Sequence, residues 1–453
     1  MKTSILSSLA IILMVCACSQ PAQEENKVVI ATLDPGHFHA ALVQKTSLPN
    51  VSNDVYVYSN PGEDLQSHLA KIEAFNTRED NPTSWNEIVY TGDDFLEKMI
   101  SDGKANVMVT AGNNLKKTEY LKKTLEAGIN VLSDKPMAIN ADNFEMLKEC
   151  FEIANKKGVL LYDIMTERNE ITTILQRELS LFNDVYGEQI QGTPENPGIE
   201  MESVHHFYKE VAGKPNIRPA WFFDVDQQGE SIVDVGIHLI DLVQWQCFPN
   251  QAIKISDIKV TSAKHWVEPL TFDQFKAATG LAAYPDYLMK DVKDDMLQEY
   301  QNGEINWQIK GLNAKIVALW RYQAPVGGGD THYCVMHGTK ADIVIRQGEE
   351  QKWQPELYIE AIEGGAEYQA ALEARFVELE SKYSDIKLEK IGDKQWHVSI
   401  PASYRVGHEA HFGQVTEDFL QYLSEGKLPD WEQPCMIAKY YTATQALRIA
   451  RGE

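Results

Sequence analysis

The amino-acid sequence predicts an α/β protein in two parts: an N-terminal doubly wound parallel sheet, then an α+β domain with an open, mainly antiparallel sheet. Three observations support this prediction. Short apolar runs alternate with helical patterns up to about residue 168, strand-like runs dominate afterwards, and 453 residues are too many for one ordinary core. We therefore place the first domain at 27–168 and the second at 169–453.

The first domain opens with Lys27 to Leu33, a short apolar run typical of a buried parallel strand. Gly128 and Gly158 each follow a helical pattern, as C-terminal helix glycines do. The further predicted strands are Val55 to Tyr58, Val107 to Thr110, Asn130 to Leu132 and Val159 to Ile164, and the predicted helices are His39 to Gln44, Asp93 to Ile100, Leu115 to Ala127 and Ala141 to Lys157. This alternation implies a parallel sheet covered by helices on both faces, which is a nucleotide-binding arrangement.

The second domain begins with a helical pattern, Ile171 to Leu181, and a glycine- and proline-rich loop around Gly192 to Gly198. Six later runs have the composition of antiparallel strands. They are Met201 to Phe207, Ile253 to Ser262, Ile305 to Leu312, Ala314 to Tyr322, His332 to His337 and Ala341 to Arg346. Two inserted helical segments are predicted at Pro269 to Asn302 and Gln351 to Gln395, and two final helices at Tyr404 to Glu425 and Met436 to Ile449.

The first 26 residues have the features of an exported, lipid-anchored protein. Lys2 supplies a positive charge, and the apolar run from Ile5 to Val15 is too short to span a bilayer as a stable helix. Cys18 follows the small residue Ala17, as the lipidated cysteine of a bacterial lipobox does. A plain signal peptide with incidental cysteines is the alternative. We predict a lipoprotein signal peptide at 1–18, a polar tether at 19–26, and a place in the periplasm or outer membrane.

The formal net charge of −24 limits the partners of this protein. An acidic surface repels nucleic acid and anionic lipid headgroups, so we predict no nucleic-acid partner and membrane contact through the lipid anchor only. Four cysteines remain after the signal, at positions 150, 247, 334 and 435, and no two of them form a C-x-x-C pair. Buried free thiols are therefore favoured over a zinc knuckle or a redox pair.

The turn after the first strand is where a dinucleotide pyrophosphate is expected in this architecture. It reads Asp34-Pro35-Gly36-His37-Phe38-His39, which keeps only the middle glycine of the usual three. A carboxylate at Asp34 would repel the pyrophosphate unless it turns away. His37 and His39 are two residues apart and share no helix face. A metal pair is one alternative there, but a polar contact or helix-entry role is favoured, and no metal site is predicted.

The second strand ends at Ser59 and Asn60, where an acid usually binds the ribose. Small polar groups admit an adenosine 2′-phosphate, but they also fit weak recognition of the ribose. NAD and NADP therefore both remain open.

Stronger signals lie further along the chain. Lys135 and Pro136 stand at the carboxyl end of a predicted strand, where open α/β sheets bind ligands, and the proline fixes the turn. Asp234 and His238 are four residues apart and would share one face of a helix. Such a carboxylate–imidazole pair suits proton transfer to a sugar hydroxyl. A surface lysine and an ordinary helix pair are the alternatives.

These segments carry a family resemblance. AGINVLSDKP (127–136) resembles the A-G-k-h-V-l-x-E-K-P signature of the glucose–fructose oxidoreductase/inositol dehydrogenase (Gfo/Idh/MocA) family, and GESIVDVGIHLID (229–241) resembles its G-G-G-x-x-x-D-x-G-x-H-x-x-D helix. The resemblance covers nearly all of the mature chain and is closest to a secreted bacterial subgroup with its own C-terminal domain. It implies a Rossmann-like first domain, a nicotinamide cofactor, and a homo-oligomer paired through the open sheet.

The resemblance also implies residue roles. Lys135 would hydrogen-bond the reacting hydroxyl and the cofactor ribose, Asp234 would position the substrate, and His238 would accept its proton while hydride passes to the nicotinamide. The predicted cofactor contacts are Gly36, His37, Phe38, Ser59, Asn113, Asn114, Asp134, Lys135 and Pro136, and the predicted substrate contacts are His206, Trp221, Asp234 and His238. The missing glycines and ribose acid put the affinity for the cofactor and its identity in question.

Other candidate residues are weaker. Trp221 fits a core position as well as a sugar platform. His205 and His206 should point to opposite faces of a strand, with His206 the one chosen for the cleft. The stretch Asp330 to His332 follows three glycines and favours a plain hairpin. Gly407 to His411 resembles the start of a zinc helix, but its histidines are three apart and no other ligand is evident, so no metal is predicted there.

The sequence thus predicts an exported NAD(P)-dependent oxidoreductase acting on a carbohydrate-like small molecule: a sugar, glycoside or polyol. We expect its cofactor to be tightly held, because an exported enzyme meets no steady supply of nicotinamide. Two alternatives remain open. One is a glycosidase or lyase that cleaves its substrate through transient ring oxidation, and the other is a non-catalytic carbohydrate-binding protein on the same scaffold.

Overall fold

The computed structural model describes residues 27–211 and 214–453. The predicted signal peptide, the lipidated Cys18 and the tether lie outside these residues. Within them, the chain forms a six-stranded sheet, a larger mixed sheet and a small separate hairpin.

The first sheet contains six parallel strands in the order β3-β2-β1-β4-β5-β6. The strands are β1 (Ile30–Leu33), β2 (Asp54–Ser59), β3 (Asn86–Thr91), β4 (Val107–Thr110), β5 (Asn130–Asp134) and β6 (Leu161–Ile164). The helices of this half are α1 (His39–Leu42), α2 (Glu63–Thr77), α3 (Phe95–Asp102), α4 (Lys117–Glu126), α5 (Ala141–Lys157) and α6 (Ile171–Ser180). The strand order reverses between β1 and β4, which opens a ligand crevice at their carboxyl ends. The prediction of a doubly wound parallel sheet is confirmed.

One strand and one helix of this sheet escaped the sequence analysis. Val107–Thr110 is the fourth strand, not the third, because α2 and β3 precede it. β3 lies at the sheet edge and its residues are exposed or half-buried, so it lacks the continuous apolar run of a central strand. α2 buries only Leu65, His68 and Ile72, which leaves a weak apolar stripe.

The second sheet has ten strands in the order β10-β12-β13-β7-β14-β15-β16-β18-β17, with β11 paired to β12. Its strands, with the hairpin β8–β9, are β7 (Ile199–Tyr208), β8 (Glu210–Val211), β9 (Lys214–Pro215), β10 (Ile258–Thr271), β11 (Val292–Lys293), β12 (Met296–Ile309), β13 (Leu312–Gln323), β14 (Thr331–His337), β15 (Ala341–Arg346), β16 (Glu356–Ala361), β17 (Lys387–Lys390) and β18 (Gln395–Ser399). β7 pairs parallel with β13, and the other described pairings are antiparallel. The predicted open, mainly antiparallel sheet is confirmed.

The helices of this half are α7 (Val225–Gln228), α8 (Gly236–Cys247), α9 (Phe272–Thr279), α10 (Ala366–Lys382), α11 (His408–Glu425) and α12 (Glu432–Arg451). The two predicted helical insertions are therefore largely wrong. The first holds the short α9 between long strands, and the second holds α10 between β16 and β17. In β16 buried residues alternate with half-buried ones, a period of two that marks a strand.

The last helix, α12, joins the two halves of the molecule through buried polar contacts. Lys439 Nζ lies 3.0 Å from Asp163 on β6 and 2.8 Å from Asp241 on α8. The Arg168 guanidinium contacts both oxygens of Asp241 at 2.6 Å and Glu432 at 2.9 Å. We call these five residues the buried charge network. It fixes α8 and α12 against the first sheet.

None of the helices in the described residues combines the length and apolar character needed to span a bilayer. The four cysteines in residues 27–211 and 214–453 are free thiols; Cys150, Cys334 and Cys435 are buried and Cys247 is partly buried.

Candidate active site in the crevice between the sheets

The turn between β1 and α1 packs tightly on the turn after β4. A Cβ on Gly112 would lie 2.5 Å from the Asp34 carbonyl oxygen and 2.8 Å from the Gly36 nitrogen, so backbone meets backbone and glycine is required. The N–H groups of Gly36 and His37 both donate to the Ala111 carbonyl, at 3.1 and 3.0 Å. Two donors that such a turn usually offers to a pyrophosphate are therefore used inside the protein.

Asp34 turns away from this position, as a bound pyrophosphate would require. Its φ of +47° rotates the side chain toward the carboxyl end of β2, and its N–H donates to the Tyr58 carbonyl at 2.9 Å. Burial and the nearby charge of Asp64 raise the pKa of Asp34 to about 6, against the lowering effect of a hydrogen bond from Ser59. A carboxyl group therefore stands beside the end of β2, although it comes from the β1–α1 turn.

Trp221 covers the same turn from the second domain. Its Nε1 donates to Asp64 at 3.0 Å, and its ring atom Cζ2 would lie 3.3 Å from a Cβ placed on Gly36. Trp221 thus lies on the cofactor side of the crevice, not over a sugar position. A pyrophosphate placed on Gly36 would have to displace this indole.

Lys135 and Asp234 meet on the other side of the crevice. Lys135 Nζ lies 2.6 Å from Asp234 Oδ1, and their side chains are 13% and 4% exposed. Asp134, the last residue of β5, accepts from His39 Nδ1 at 2.9 Å and from the Lys135 N–H at 3.0 Å. Lys117 supports this strand end by donating to the Asp134 carbonyl at 3.1 Å, and burial lowers the pKa of Lys117 to about 8.

Asp234 and His238 do not share a helix face as predicted, because only His238 lies within the helix. α8 begins at Gly236, so Asp234 lies in the turn that precedes the helix and His238 lies in its first turn. His238 nevertheless lies close enough to Lys135 for the ammonium charge to lower its pKa. Burial, and then the charges of Lys135 and His408, lower the pKa of His238 well below 6.5. The imidazole is therefore neutral near pH 7 and can accept a proton.

Polar groups that the sequence analysis did not select line the same region. The Asp330 carboxylate lies 3.3 Å from His205 Nδ1 and 3.1 Å from His206 Nδ1, and it also pairs with Lys209. Burial opposes ionisation of Asp330, but hydrogen bonds from the two histidines hold its pKa well below the usual range. Arg218 donates to the carbonyls of Phe207 and His206, and burial lowers its pKa to about 10.

Glu167 adds an acid to this chamber. Burial raises the pKa of its carboxyl group, while His205 and Lys135 oppose the rise. His205 also interacts with His238, whereas the predicted His206 is 3% exposed and packed against Asp330. The adjacent histidine of the pair is thus the one that reaches the reactive groups.

The other predicted cofactor residues lie around the crevice with contacts of their own. Asn113 donates to the Gln227 side chain at 2.6 Å, and Asn114 to the Gln228 carbonyl at 2.8 Å, which ties the turn after β4 to α7. Ser59 donates to the Asn60 carbonyl at 3.0 Å. Phe38 packs against both His37 and His39. Pro136 follows Lys135 through a cis peptide bond.

The crevice fits a nicotinamide dinucleotide at both ends. His238 Nδ1 is buried without a hydrogen-bond partner among the described residues, next to the Lys135 ammonium, and this leaves polar groups for a nicotinamide ribose and a reacting hydroxyl. At the other end, the Asp34 carboxyl lies beside β2, where ribose hydroxyls are bound in this fold. Asp34, Ser59 and Lys135 would hold the two ends of the cofactor, and Gly36 would contact the pyrophosphate only after the Trp221 indole moves.

Comparison with known proteins agrees with this geometry. Residues 55–163 match the family "Oxidoreductase family, NAD-binding Rossmann fold" and residues 175–451 match "Putative oxidoreductase C terminal domain". A solved "putative oxidoreductase" from Parabacteroides merdae is 60% identical, with a TM-score of 0.93 over 94% of this chain and 98% of that chain.

Two other relatives are more distant. An uncharacterized oxidoreductase, YhhX, from Escherichia coli is 25% identical over 178 residues, which span 39% of this chain and 45% of that protein. KijD10, a 3-ketoreductase from Actinomadura kijaniata solved with TDP-benzene and NADP, shares the fold at 13% identity, with a TM-score of 0.54 over 94% of this chain and 98% of that chain. The two family matches and the Parabacteroides structure show that this chain belongs to the Gfo/Idh/MocA family of NAD(P)-dependent oxidoreductases.

Proposed function

We propose that this oxidoreductase transfers hydride between a bound nicotinamide and a hydroxyl-bearing carbon of a sugar, glycoside or polyol. The observation that carries the proposal is the meeting of Lys135, Asp234 and His238 at the end of β5. The ammonium and carboxylate are 2.6 Å apart and largely buried, and a neutral imidazole lies beside them.

Each group has a distinct task in the oxidation direction. Lys135 donates a hydrogen bond to the substrate oxygen and stabilises negative charge on it. Asp234 holds the Lys135 ammonium in place and accepts from a neighbouring hydroxyl. The neutral His238 takes the hydroxyl proton. A bound nicotinamide would supply the acceptor for the hydride of the same carbon, so that a secondary alcohol would become a ketone.

The chamber beyond these three residues suits a polyhydroxylated ligand. Arg218, Lys209, Glu167 and Asp330 form a cluster of charged groups close enough to influence one another's pKa values. We infer that their donors and acceptors turn to the hydroxyls of a ligand bound beside Lys135. Several hydroxyls in fixed positions satisfy such a mixture better than an apolar ligand does, because unpaired polar groups in a buried site are costly. The distant relative KijD10, a 3-ketoreductase, is consistent with ketone chemistry in this fold.

We further propose that NAD is the preferred cofactor. Asp64 lies close enough to Asp34 for its charge to raise the pKa of Asp34, beside the end of β2. Two carboxyl groups there would accept from ribose hydroxyls and repel a 2′-phosphate. The preference for NAD is a refinement, since the sequence alone did not distinguish NAD from NADP.

We also propose that the protein is exported and anchored through Cys18. The support is the short apolar run and the small residue before the cysteine, which lie in residues 1–26. Incorporation of labelled fatty acid, lost in Cys18→Ala, would test it.

The central experiment combines cofactor retention with turnover. Mass spectrometry of the denatured full chain should detect NAD or NADH, and a panel of hexoses, methyl glycosides and inositols should change the nicotinamide absorbance. Lys135→Met should lower turnover by about 10²-fold or more while the cofactor is still retained. Lys123→Met, a half-exposed lysine paired with Glu97, serves as the control. A folded protein that binds no dinucleotide, or a Lys135→Met variant with normal turnover, would contradict the proposal.

Glu167 favours one second function, cleavage of a glycoside after transient oxidation. A ketone acidifies the neighbouring C–H bond. A base takes that proton, the C–O bond to the aglycone breaks, and the departing oxygen takes a proton from an acid. Addition of water to the resulting enone and return of the hydride to the ketone carbon would complete the reaction. Burial keeps Glu167 protonated to a higher pH than usual, next to Lys135 and His205. Release of free aglycone from a methyl or aryl glycoside, lost in Glu167→Gln, would establish this route; oxidation without aglycone release would exclude it.

A further inference from the structure

Two histidine motifs that carry no role in hydride transfer converge beside β5. His37 and His39 belong to the β1–α1 turn, and His408 is the first residue of α11. The rings of His39 and His408 are 5.4 Å apart, and those of His37 and His39 are 3.9 Å apart. Each motif alone is too sparse to bind a metal ion, but the fold brings both to the Asp134 carboxylate.

We propose that His37, His39 and Asp134 form a binding site for a divalent transition-metal ion of the zinc class, with His408 at its rim. We call this set the metal cluster. One ligand atom from each of the three residues lies within 4.8 Å of the others. The inference goes beyond the proposed hydride transfer and does not depend on it.

The distances suit coordination with little movement. Ligand atoms about 2.1 Å from one ion at tetrahedral or octahedral angles lie roughly 3.0–3.4 Å from each other. His39 Nδ1 is 2.9 Å from Asp134 Oδ2, and His37 Nδ1 is 3.8 Å from the same oxygen. The two distances to Asp134 are thus within about half an ångström of the coordinated values, and all three ligand atoms lie within 4.8 Å of one another, so side-chain adjustment without backbone movement would bring them around a shared ion.

The surroundings hold Asp134 ready for a cation. Its other oxygen, Oδ1, accepts from the Lys135 N–H at 3.0 Å, which orients the carboxylate as outer partners of metal ligands do. Two ammonium groups lie nearby, but neither contacts the carboxylate: Lys135 pairs with Asp234, and Lys117 donates to the Asp134 carbonyl. The negative charge of Asp134 is thus left for an ion.

Imidazole and carboxylate ligands together select zinc, cobalt, nickel or iron over magnesium and calcium. Three protein ligands leave a fourth position open, which is the arrangement of catalytic rather than structural zinc sites. Because Asp134 directly precedes Lys135, the ion would bind at the same strand end as the Lys135–Asp234 pair.

An ordinary histidine–carboxylate hydrogen bond is the competing explanation, and the chain contains a matched control for it. His337 Nδ1 lies 2.9 Å from Asp342 Oδ1, the same separation as in the His39–Asp134 pair. Within the described residues, this pair has no third ligand residue close enough to complete a metal site. A histidine–aspartate pair without a metal site can therefore be compared directly with the metal cluster.

The test is a metal titration of the tag-free full chain after dialysis against a chelator. Zn²⁺ binding is measured by calorimetry, and Co²⁺ by its visible absorption. We expect one ion per chain, a rise in Tm on adding Zn²⁺, and at least about tenfold weaker binding in His37→Ala and His39→Ala. His337→Ala should bind the ion as the unaltered protein does.

Melting curves without metal show which variants are folded. His39 is buried, so His39→Ala alone would be ambiguous if it unfolds; the His37 side chain is 20% exposed, so His37→Ala carries the test in that case. Absence of stoichiometric binding would overturn the proposal. So would unchanged affinity in folded His37→Ala, or an equal loss in His337→Ala.

Discussion

Lys439 is the residue whose removal tests most directly how the two halves of the molecule are held together. Its ammonium is fully buried and contacts two carboxylates, Asp163 at 3.0 Å and Asp241 at 2.8 Å. Asp241 keeps Arg168 as a second partner, whereas Asp163 would keep only the Tyr440 hydroxyl at 3.0 Å. Lys439→Met preserves most of the side-chain volume and removes the charge.

The expected loss follows from the charges left behind. The buried charge network carries three carboxyl groups and two cationic groups, so the variant would hold three acids against Arg168 alone. Breaking a buried ion pair by removing one partner costs about 3–5 kcal/mol, because the remaining charge stays desolvated. With roughly 2 °C per kcal/mol for a chain of this size, we expect the Tm to fall by about 6–10 °C.

The assay is thermal unfolding followed by circular dichroism, with two comparison variants. Lys382→Met removes a half-exposed lysine 3.0 Å from Glu178 and should leave the Tm close to that of the unaltered protein. Adding Asp163→Asn to Lys439→Met removes the stranded charge and should recover part of the loss. Two results would refute this prediction: a Tm of Lys439→Met within about 1 to 2 °C of the unaltered protein, or a further fall in Tm when Asp163→Asn is added.

Three further predictions follow from other buried groups. Because burial holds the pKa of His238 well below 6.5, kcat/KM for oxidation should not fall toward acid pH with a midpoint at 6.5 or above. A limb there that disappears in His238→Asn would contradict the lowered pKa, and an unchanged kcat/KM in His238→Asn would contradict the proton-acceptor role. Burial, with the charges of Asp291 and Asp224, raises the pKa of Glu299 well above 4.5. The folded chain therefore keeps a proton that the unfolded chain loses, and stability falls as pH rises above 4.5. Glu299→Gln should flatten the dependence of Tm on pH between about 5 and 8, and an unchanged slope in this variant would refute the argument. In a fluorescence titration, NADH should bind at least about tenfold more tightly than NADPH, and Asp34→Asn should reduce this ratio of affinities. Equal affinities of the unaltered protein for NADH and NADPH would contradict the proposal that the Asp34 carboxyl selects NAD.

The local sequence pattern was sufficient to predict the parts of the fold in which apolar strands alternate regularly with amphipathic helices. Ala141–Lys157 was predicted with the bounds the structure has, because an amphipathic run ends at Gly158 in the left-handed conformation. Edge strand β3 and helix α2 were not predicted, since exposed elements lack a strong apolar signal. The length of β12 was also underestimated, because polar residues such as Glu299 and Gln301 are buried in it and break the apolar pattern.

The sequence predicted the site residues that lie in a recognisable motif. It did not predict those that reach the site from distant segments. Lys135 and Asp234 stand in recognisable signatures, and the structure joins them. Asp34, by contrast, reaches the end of β2 through a left-handed turn that the sequence does not reveal. His408 and Asp330 enter through the ends of α11 and β14, and no local pattern indicates which strand end each will face.

α8 links stability and chemistry through residues three positions apart. His238 faces the crevice near Lys135, and Asp241, almost one turn further on, enters the buried charge network with Arg168 and Lys439. The imidazole therefore takes its position from a helix that is fixed to α12 and to the end of the first sheet. Since Lys135 follows β5 of that same sheet, the network sets the separation between the two reactive groups. In the D-x-G-x-H-x-x-D signature the last aspartate thus acts as an anchor for the histidine, and the first aspartate holds the lysine.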